Sequence, residues 1–457
     1  MDFIQVEICN GPLVEQEFRI PLHMVITAYF KRSITIFLVI GDGWLVGDES
    51  GNILPCNPDQ LNGIDSSEGL KTLIQLQSGV SEIAPLDRSK ILVGEMRGNV
   101  SKIDLNNLDA NLIVKGILHM APIKCIRWQP NQSEVFATAG QDGSVYISDL
   151  RCPDGLISSL YNSHQLSNPS AKSRSTMTGL VFNPLRPELF YTSGTPDTCV
   201  RLWDMRKLKC SSKTRSNRKT STALIEEFST STFTTKSTRK HRSSVALTID
   251  SIGSRLFLAT SNDNIFEFLT NNSELGPVAS YTASGFTSCS FFSNLSIDPS
   301  DRFLLSGSSN GQAFIWDTVN HDNCAYELPI CAQLEVSKTA WAGGTKGSLD
   351  AQIACISDDL TFSLFNWNLE DETDGLSVDS GIKRVKRLPD PTPKEIIHKA
   401  DEPTESQEII NTSNPPSVPS TPVRKKPALL SAVNTPSPNS ANKSILDFFS
   451  RSPRVYN

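Results

Sequence analysis

Seven segments of the chain repeat one pattern of apolar and polar positions. Each has an apolar strand ending in small residues, a turn with Asp, Asn or Gly, and a second apolar strand that often closes with an aromatic residue and Asp. The segments begin at Trp44, Ile91, Val135, Leu189, Leu256, Phe303 and Ile353. The alternation in VYISDL (145–150) and AFIWD (313–317) has the period of a β-strand and directs apolar side chains towards a neighbouring sheet. The pattern therefore predicts pairs of antiparallel strands.

The turns of these segments recur at a regular interval. The turn residues, at intervals of 45 to 66 residues, are Gly51, Gly98, Gly143, Asp197, Asp263, Gly311 and Asp359. A tight hairpin needs positive φ, which Gly, Asn and Asp adopt at low cost. A four-stranded propeller blade takes roughly 40 to 45 residues, and a closed ring of seven has no open sheet edges. We predict an all-β chain, a WD40 β-propeller of seven blades; the alternative is an open β-sandwich or two small β domains.

The repeats cover only part of the chain. We assign residues 1–370 to the propeller, although its first two units lack a Trp-Asp ending. Residues 207–243 are rich in Ser, Thr, Lys and Arg and poor in aliphatic residues, which predicts a mobile basic insertion. Residues 371–457 are rich in Pro and Ser and have almost no aromatic residues until the very end. Such a segment buries too little apolar surface to fold, so we expect a long disordered C-terminal tail.

Composition narrows the class of protein. Of the 457 residues 38% are hydrophobic and 20% are charged, and the formal net charge is −6. This charge argues against a nucleic-acid coat protein, so we expect DNA to be contacted only indirectly or weakly. The ten cysteines form no C-x-x-C pair, which indicates small core residues in a reducing compartment. Without a secretory pattern or an apolar run of roughly 20 residues, we expect a soluble intracellular protein and no membrane partner.

No pattern in the sequence indicates catalysis. The six histidines are far apart, and the chain has no H-E-x-x-H pattern, no G-x-x-x-x-G-K-[ST] loop and no G-x-S-x-G elbow. The acidic pair Asp358 and Asp359 falls in a predicted hairpin turn. We assign no catalytic, cofactor-binding or metal-binding residue and expect no cofactor. An enzyme with its active site in the central channel of the propeller is the alternative.

Two consecutive segments end in Asp-x-Arg. The two endings are Asp149-Leu150-Arg151 and Trp203-Asp204-Met205-Arg206. A single copy is explained by a packed aromatic residue, an Asp that orders a turn and a solvated Arg. Two copies on consecutive blades place two arginines on one rim, where the planar guanidinium suits a protein interface.

An apolar cluster interrupts the polar tail at residues 442–449, NKSILDFF. Ile445, Phe448 and Phe449 stand at i, i+3 and i+4, so one helical turn presents all three side chains on one face. Apolar clusters in disordered tails are commonly binding motifs that fold on contact. This one resembles the clamp-interacting (PIP) box, Q-x-x-[ILM]-x-x-[FY]-[FY], which binds the DNA sliding clamp PCNA. Asn442 replaces the usual Gln and has a shorter reach, which predicts weaker clamp binding.

The blades resemble those of denticleless-type proteins. The resemblance covers about residues 120 to 370 and is carried by GQDGSVYISDLRC, SSVALTIDSIGSRLFLATSNDNIF and LSIDPSDRFLLSGSSNGQAFIWD. Members of that family are non-catalytic substrate receptors of cullin-4 RING ubiquitin ligases. They recruit the replication licensing factor and other clamp-bound proteins for ubiquitination and proteasomal degradation in S phase and after DNA damage. The resemblance implies this function and a fungal member, for which an inhibitor of ribonucleotide reductase is a second class of substrate.

The resemblance also implies which residues bind partners. Proteins with paired D-x-R endings dock on the adaptor of this ligase, which is itself built of three propellers. The residues implied to contact it are Asp149, Arg151, Trp203, Asp204 and Arg206, and Ser148 stands where the first ending usually has Trp. The family also carries a clamp-binding box in its tail, in agreement with Asn442, Ile445, Phe448 and Phe449. The alternative is a WD40 scaffold or a chromatin or replication factor that binds the clamp but not the ligase.

Short motifs in the tail predict location and regulation. If the protein acts in replication, its basic runs are expected to be nuclear import signals. The candidate residues are Lys383, Arg384, Lys386, Arg387, Arg424, Lys425 and Lys426. We therefore expect a nuclear protein. The candidate phosphorylation sites are Thr421, Thr435, Ser437 and Ser452. A phosphate at Ser452 would add about −1.5 to −2 charges beside the clamp box and alter clamp binding.

Overall fold

The fold is built from antiparallel sheets. The computed structural model describes residues 5–7, 22–29, 34–40, 43–56, 72–87, 89–107, 109–112, 118–152, 155–161, 163–164, 175–208, 223–230, 243–288, 290, 293–319, 324–328, 330, 334–342, 350–358, 361–368 and 383–386. These residues lie within one compact unit, Met1–Ile396, and form seven sheets. No helix among them is long and apolar enough to cross a lipid bilayer.

We call the seven sheets blades 1 to 7. Two strands, β1 (Gln5–Glu7) and β2 (Leu22–Tyr29), precede the first blade. Blade 1 contains β3 (Ile34–Ile40), β4 (Gly43–Asp48), β5 (Asn52–Cys56) and β6 (Ile74–Gln75). Blade 2 contains β7 (Val80–Pro85), β8 (Lys90–Glu95), β9 (Val100–Asp104) and β10 (Asp109–Leu112). Blade 3 contains β11 (Ile123–Trp128), β12 (Val135–Gly140), β13 (Ser144–Asp149) and β14 (Leu156–Tyr161).

The remaining blades have the same plan. Blade 4 contains β15 (Thr176–Phe182), β16 (Leu189–Thr195), β17 (Cys199–Asp204) and β18 (Leu224–Ser229), with the 3-10 helix η1 (Met205–Lys207) after β17. Blade 5 contains β19 (Ser244–Ile249), β20 (Arg255–Thr260), β21 (Asn264–Leu269) and β22 (Ala279–Tyr281). Blade 6 contains β23 (Leu295–Ile297), β24 (Phe303–Gly307), β25 (Ala313–Asp317) and β26 (Cys324–Leu328). Blade 7 contains β27 (Val336–Ala342), β28 (Asp350–Ser357) and β29 (Thr361–Asn368); the last strand, β30 (Lys383–Lys386), follows it.

The N-terminal segment closes the ring. Strand β2 pairs with β29, from Leu22 opposite Trp367 to Tyr29 opposite Thr361, and so completes blade 7. The first strand of every blade contacts the first strand of the next, and β27 of blade 7 contacts β3 of blade 1. The predicted seven-bladed β-propeller is confirmed, and its closure joins the two ends of the ring so that neither remains as an open edge.

The core lies between the blades. One cluster joins Ala137 and Ile147 of blade 3 to Leu180 and Phe190 of blade 4, and corresponding clusters join the other blades in pairs from blade 1 to blade 7. The prediction that apolar side chains of VYISDL (145–150) and AFIWD (313–317) face a neighbouring blade is confirmed. Because each blade is flanked on both sides, middle strands such as β12 and β16 are buried along most of their length, whereas the outer strand β18 is mostly half-buried or exposed.

Five of the seven predicted turn residues have the expected positive φ. Positive φ is found at Gly51, Gly98, Gly143, Asp263 and Gly311. At Gly143 the φ is 77°, and a side chain would in addition collide with the carbonyl oxygen of Ser175. Asp197 lies in an ion-pair network instead, and Asp359 lies outside the described residues.

Two predicted boundaries are wrong. Strand β18 lies inside the segment 207–243 that was predicted to be a mobile insertion, and it pairs with β17 as the outer strand of blade 4. Phe228 anchors it, since its buried ring lies 6.1 Å from that of Tyr191 and 6.0 Å from that of Phe268. Strand β30 lies beyond the predicted propeller limit at residue 370 and pairs with β26 of blade 6. The rest of the insertion, 209–222 and 231–242, and the tail after residue 386 lie outside the described residues.

Candidate functional site

The ending of blade 4 forms a turn in which Asp204 holds Arg206. Asp204 is the last residue of β17, and its Oδ1 accepts the backbone N–H of Arg206 at 3.0 Å, which caps η1. The guanidinium Nε donates to Oδ1 at 3.0 Å, and Nη2 donates to Oδ2 at 3.0 Å. The side chain of Arg206 is nevertheless 66% exposed, whereas that of Asp204 is 5% exposed. The turn therefore presents a guanidinium of fixed orientation to solvent.

The ending of blade 3 has the same geometry. Asp149 is the last residue of β13, and its Oδ1 accepts the backbone N–H of Arg151 at 2.9 Å. Nε of Arg151 donates to Oδ1 at 2.9 Å, and Nη2 donates to Oδ2 at 2.7 Å. The Arg151 side chain is 63% exposed above the largely buried carboxylate.

Each ion pair keeps its carboxylate charged and leaves part of the guanidinium available. The hydrogen bond from Arg151 lowers the pKa of Asp149, and the hydrogen bond from Arg206 lowers the pKa of Asp204. Within the described residues, Nη1 of both arginines has no hydrogen-bond partner. These donors could bind carboxylates or carbonyls of another protein.

Both arginines lie at the same end of the ring. Strands β13 and β17 are the third strands of consecutive blades, and each ends opposite the start of the second strand, with Asp149 opposite Val135 and Asp204 opposite Leu189. In an antiparallel meander the first and third strands end at the same side of the blade. We call this side, which carries the two Asp-x-Arg turns, the arginine end of the ring.

Trp203 lies in the core, so the implied direct contact between Trp203 and the adaptor is wrong. Its side chain is buried, and Nε1 donates to Oγ1 of Thr192 at 2.8 Å. The same Oγ1 lies 2.9 Å from Nε2 of His164, whose Nδ1 lies 2.9 Å from Oδ1 of Asp197. Burial lowers the pKa of His164, so its ring is neutral at pH 7 and its Nε2 can accept a hydrogen bond from the Thr192 hydroxyl. Trp203 therefore stabilises blade 4 beneath the Asp204 turn.

Blade 3 contains a similar network without the indole. Nδ1 of His119 lies 3.0 Å from Oδ1 of Asp142, and Nε2 lies 2.9 Å from Oγ1 of Thr138. Ser148 occupies the position of the tryptophan, and its buried hydroxyl has no partner among the described residues. The departure from the family pattern at Ser148 thus leaves the geometry of the Asp149 turn unchanged.

Sequence reasoning missed these histidine networks. Two equivalent pairs lie in consecutive blades, His119 with Asp142 and His164 with Asp197, although the members of each pair are far apart in the sequence. A usable signal was present, because each histidine stands shortly before the first strand of its blade and each aspartate in the turn between the second and third strands. The networks are structural, since both histidines are fully buried.

A groove with both polar and apolar walls lies at the arginine end between blades 4 and 5. It has a volume of about 360 Å³ and is bordered by Leu185, Ile225 and Ile252. Leu185 is 73% exposed and Ile252 is 53% exposed. Both lie in turns between the first and second strands of their blades, and the backbone N–H of Met205 binds the carbonyl of Glu188 near Leu185. Exposed apolar side chains beside an arginine are typical of protein interfaces.

The tail candidates fall largely outside the described residues. This holds for the clamp box at 442–449, for Thr421, Thr435, Ser437 and Ser452, and for Arg387, Arg424, Lys425 and Lys426. Lys383, Arg384 and Lys386 lie on β30, at the outer edge of blade 6. In the described part of the chain, no three His, Cys, Asp or Glu side chains are grouped as metal ligands.

Comparison with known proteins confirms the resemblance to denticleless-type proteins. The model of the WD domain, G-beta repeat, matches residues 277–317, in blades 5 and 6. The chain is 28% identical over 282 residues to the denticleless protein homolog of Danio rerio, over 58% of this chain and 40% of that protein. It is 30% identical over 281 residues to the denticleless protein homolog of Gallus gallus, over 56% of this chain and 36% of that protein. It is 25% identical over 281 residues to the protein lethal(2)denticleless of Drosophila melanogaster, over 57% of this chain and 34% of that protein.

The matched region therefore spans only 34% to 40% of the length of these three relatives. The expected fungal origin stays a prediction.

Proposed function

We propose that this chain is the substrate-recognition subunit of a cullin-4 RING E3 ubiquitin ligase. The proposal rests chiefly on the exposed guanidiniums of Arg151 and Arg206, which buried aspartates orient at one end of consecutive blades. The similarity to denticleless proteins supports the same function. In this role the propeller is non-catalytic, and it brings substrates to the ligase through its adaptor.

The arginine end is the proposed surface for the three-propeller adaptor. Because Asp149 and Asp204 already hold the guanidiniums, little conformational entropy is lost when Arg151 and Arg206 bind. Nη1 of each arginine would donate to a carboxylate or carbonyl of the adaptor, and the groove beside Ile252 would add apolar contact.

The proposed tail contact is with the sliding clamp. The box at residues 442–449 would bind PCNA through Ile445, Phe448 and Phe449, with Asn442 in place of Gln. Substrates would then be clamp-bound proteins, namely the replication licensing factor and, in the expected fungal setting, an inhibitor of ribonucleotide reductase. The proposed site of action is the nucleus, in S phase and after DNA damage, and the end of the ring opposite the arginine end would read the degradation signal.

Affinity purification from S-phase cells tests the proposal. The wild-type chain should recover both the adaptor and PCNA, whereas the double variant Arg151→Ala, Arg206→Ala should lose the adaptor and keep PCNA. The matched control is Arg97→Ala, an exposed arginine in the turn between β8 and β9, away from the arginine end. Adaptor recovery by the double variant would contradict the proposed surface. A wild-type chain that recovers PCNA without the adaptor would favour the alternative, a WD40 scaffold or replication factor outside the ligase.

A further inference from the structure

A cavity with a volume of about 310 Å³ lies in the channel of the propeller. Its walls are the first strands of three blades, through residues 82–85 of β7, 126–128 of β11 and 338–340 of β27, and Asn294 completes the lining. The volume is at the lower end of the range of small-ligand sites. The channel contacts that form this cavity play no part in the proposed adaptor surface.

Around this cavity, basic side chains outnumber acidic ones among the described residues. Glu82 accepts from Nη1 of Arg127 at 2.8 Å, and its other oxygen lies 3.7 Å from Nζ of Lys338. Lys124, which precedes Arg127 on β11, is also buried, and its ammonium donates to the carbonyl of Ser293 at 2.5 Å. Within the part of the chain that the structure describes, one carboxylate thus faces three basic groups. Buried cations are rare unless they are paired.

Several donors around the cavity lack an acceptor. Nζ of Lys338 makes no hydrogen bond to the described residues, and its side chain is only 6% exposed. Arg127 uses Nη1 for Glu82 and the carbonyl of Ile126, which leaves Nε and Nη2 without partners in the described part of the chain. The buried Nε1 of Trp128 and Oγ1 of Thr339 also have no partner there. Buried donors are normally satisfied, so those of Lys338, Trp128 and Thr339 call for an acceptor. The side chain of Arg127 is partly exposed, so its free donors can also be hydrated.

We propose that this channel cavity binds an oxyanion, a carboxylate or a phosphate group, between Arg127 and Lys338. The ionised oxygens of a carboxylate or a phosphate accept hydrogen bonds, which matches a cavity lined by unused donors, and the negative charge offsets the local positive excess. The guanidinium of Arg127 is the accessible contact, since its side chain is 40% exposed.

The titration of Lys124 supports this assignment. Burial, together with the charges of Lys338 and Arg127, lowers the pKa of Lys124 to about 7, although Cys125 and Glu82 act in the opposite direction. Burial also raises the pKa of the Cys125 thiol, which keeps it neutral. A bound oxyanion would favour protonated Lys124, so binding should take up a proton and should be tighter at pH 6.5 than at pH 8.5.

Isothermal titration calorimetry of the full chain tests the site with two probes, inorganic pyrophosphate and a tri-glutamate peptide, at constant ionic strength. At least one probe should bind the wild type with one-to-one stoichiometry. The double variant Arg127→Gln, Lys338→Gln should weaken that binding at least tenfold, and Arg97→Gln should leave it unchanged. Binding of pyrophosphate alone assigns a phosphate ligand, and binding of the peptide alone assigns an acidic protein segment.

Folding of the variants is checked by far-ultraviolet circular dichroism. If the double variant does not fold, Arg127→Gln alone serves, because its side chain is partly exposed. The proposal is overturned if neither probe binds the wild type, or if a folded variant binds as tightly as the wild type.

Discussion

Ser148 and Trp203 occupy the same position in consecutive blades. Ser148 lies opposite Phe136, and Trp203 lies opposite Phe190, one residue before the aspartate of each Asp-x-Arg turn. The indole donates a hydrogen bond within blade 4, whereas the serine hydroxyl is buried without a partner among the described residues. The two turns nevertheless have matching hydrogen bonds. The indole thus matters to the core of its blade more than to the shape of the turn.

Replacing Trp203 should therefore destabilise the propeller. Trp203→Ala removes a large buried aromatic side chain, which typically costs about 3–5 kcal/mol of unfolding free energy. Ser148→Ala at the matched position should change the unfolding free energy by less than about 1 kcal/mol, because no described residue bonds to the lost hydroxyl. Urea unfolding followed by circular dichroism measures both; equal losses would contradict the distinction.

Removing the charge of Asp204 should weaken adaptor binding less than removing Arg206. In Asp204→Asn the side-chain oxygen can still accept the backbone N–H of Arg206, but the ion pair that orients the guanidinium is lost. We expect Arg206→Ala to raise the dissociation constant for the purified adaptor by about 10- to 100-fold, as for a residue central to an interface. Asp204→Asn should give a smaller rise in biolayer interferometry. A larger rise for Asp204→Asn would mean that Arg206 is not the main contact.

Stability should rise with pH just above neutrality because of Lys124. Burial, followed by the charge of Lys338, lowers the pKa of Lys124 from 10.5 to about 7. Between these values the unfolded chain binds a proton that the folded chain lacks, so the unfolding free energy increases with pH. Relative to Lys124→Met, the wild type should gain roughly 1–2 kcal/mol from pH 7 to pH 8.5.

Urea unfolding of both proteins at the two pH values measures this gain. The pH range of this test ends at 8.5 because of Cys125. Burial raises the pKa of its thiol above the ordinary value of 9.0, so the unfolded chain loses this proton at a lower pH than the folded chain, and the unfolding free energy falls at higher pH. Parallel pH profiles for the wild type and the variant would show that Lys124 does not titrate in this range.

The clamp box should bind PCNA more tightly when Asn442 is replaced by the longer Gln. Asn442→Gln restores the longer amide of the usual motif and should lower the dissociation constant for PCNA, whereas Phe448→Ala with Phe449→Ala should abolish binding. Leu429→Ala with Leu430→Ala is the matched control, an apolar pair elsewhere in the tail. Fluorescence anisotropy of the labelled full chain reports these changes; undiminished binding of the phenylalanine variant would refute the motif.

The pattern of apolar and polar residues along short segments was sufficient to predict the seven-bladed ring and the two Asp-x-Arg turns at its arginine end. The hairpin at Gly143 was predictable because strand alternation and positive φ depend on neighbouring residues. The Asp-x-Arg turns were found for the same reason, as Arg206 and its partner Asp204 are two residues apart. Strand β18 was missed because its short apolar stretch, anchored by Phe228, is surrounded by Ser, Thr and basic residues that dominate the composition.

The sequence by itself determined the strand repeats, the hairpin turns and the two arginine turns, since these depend on short-range geometry. Only the tertiary structure decided that β2 closes the ring on β29, that Trp203 points inward to Thr192, and that Glu82, Arg127 and Lys338 meet in the channel. The contacts that close the ring and those in the channel join residues distant in the chain, whereas Trp203 and Thr192 lie on adjacent strands of one blade. Their positions depend on how many blades close the circle, and the charge around a buried group depends on side chains contributed by several blades.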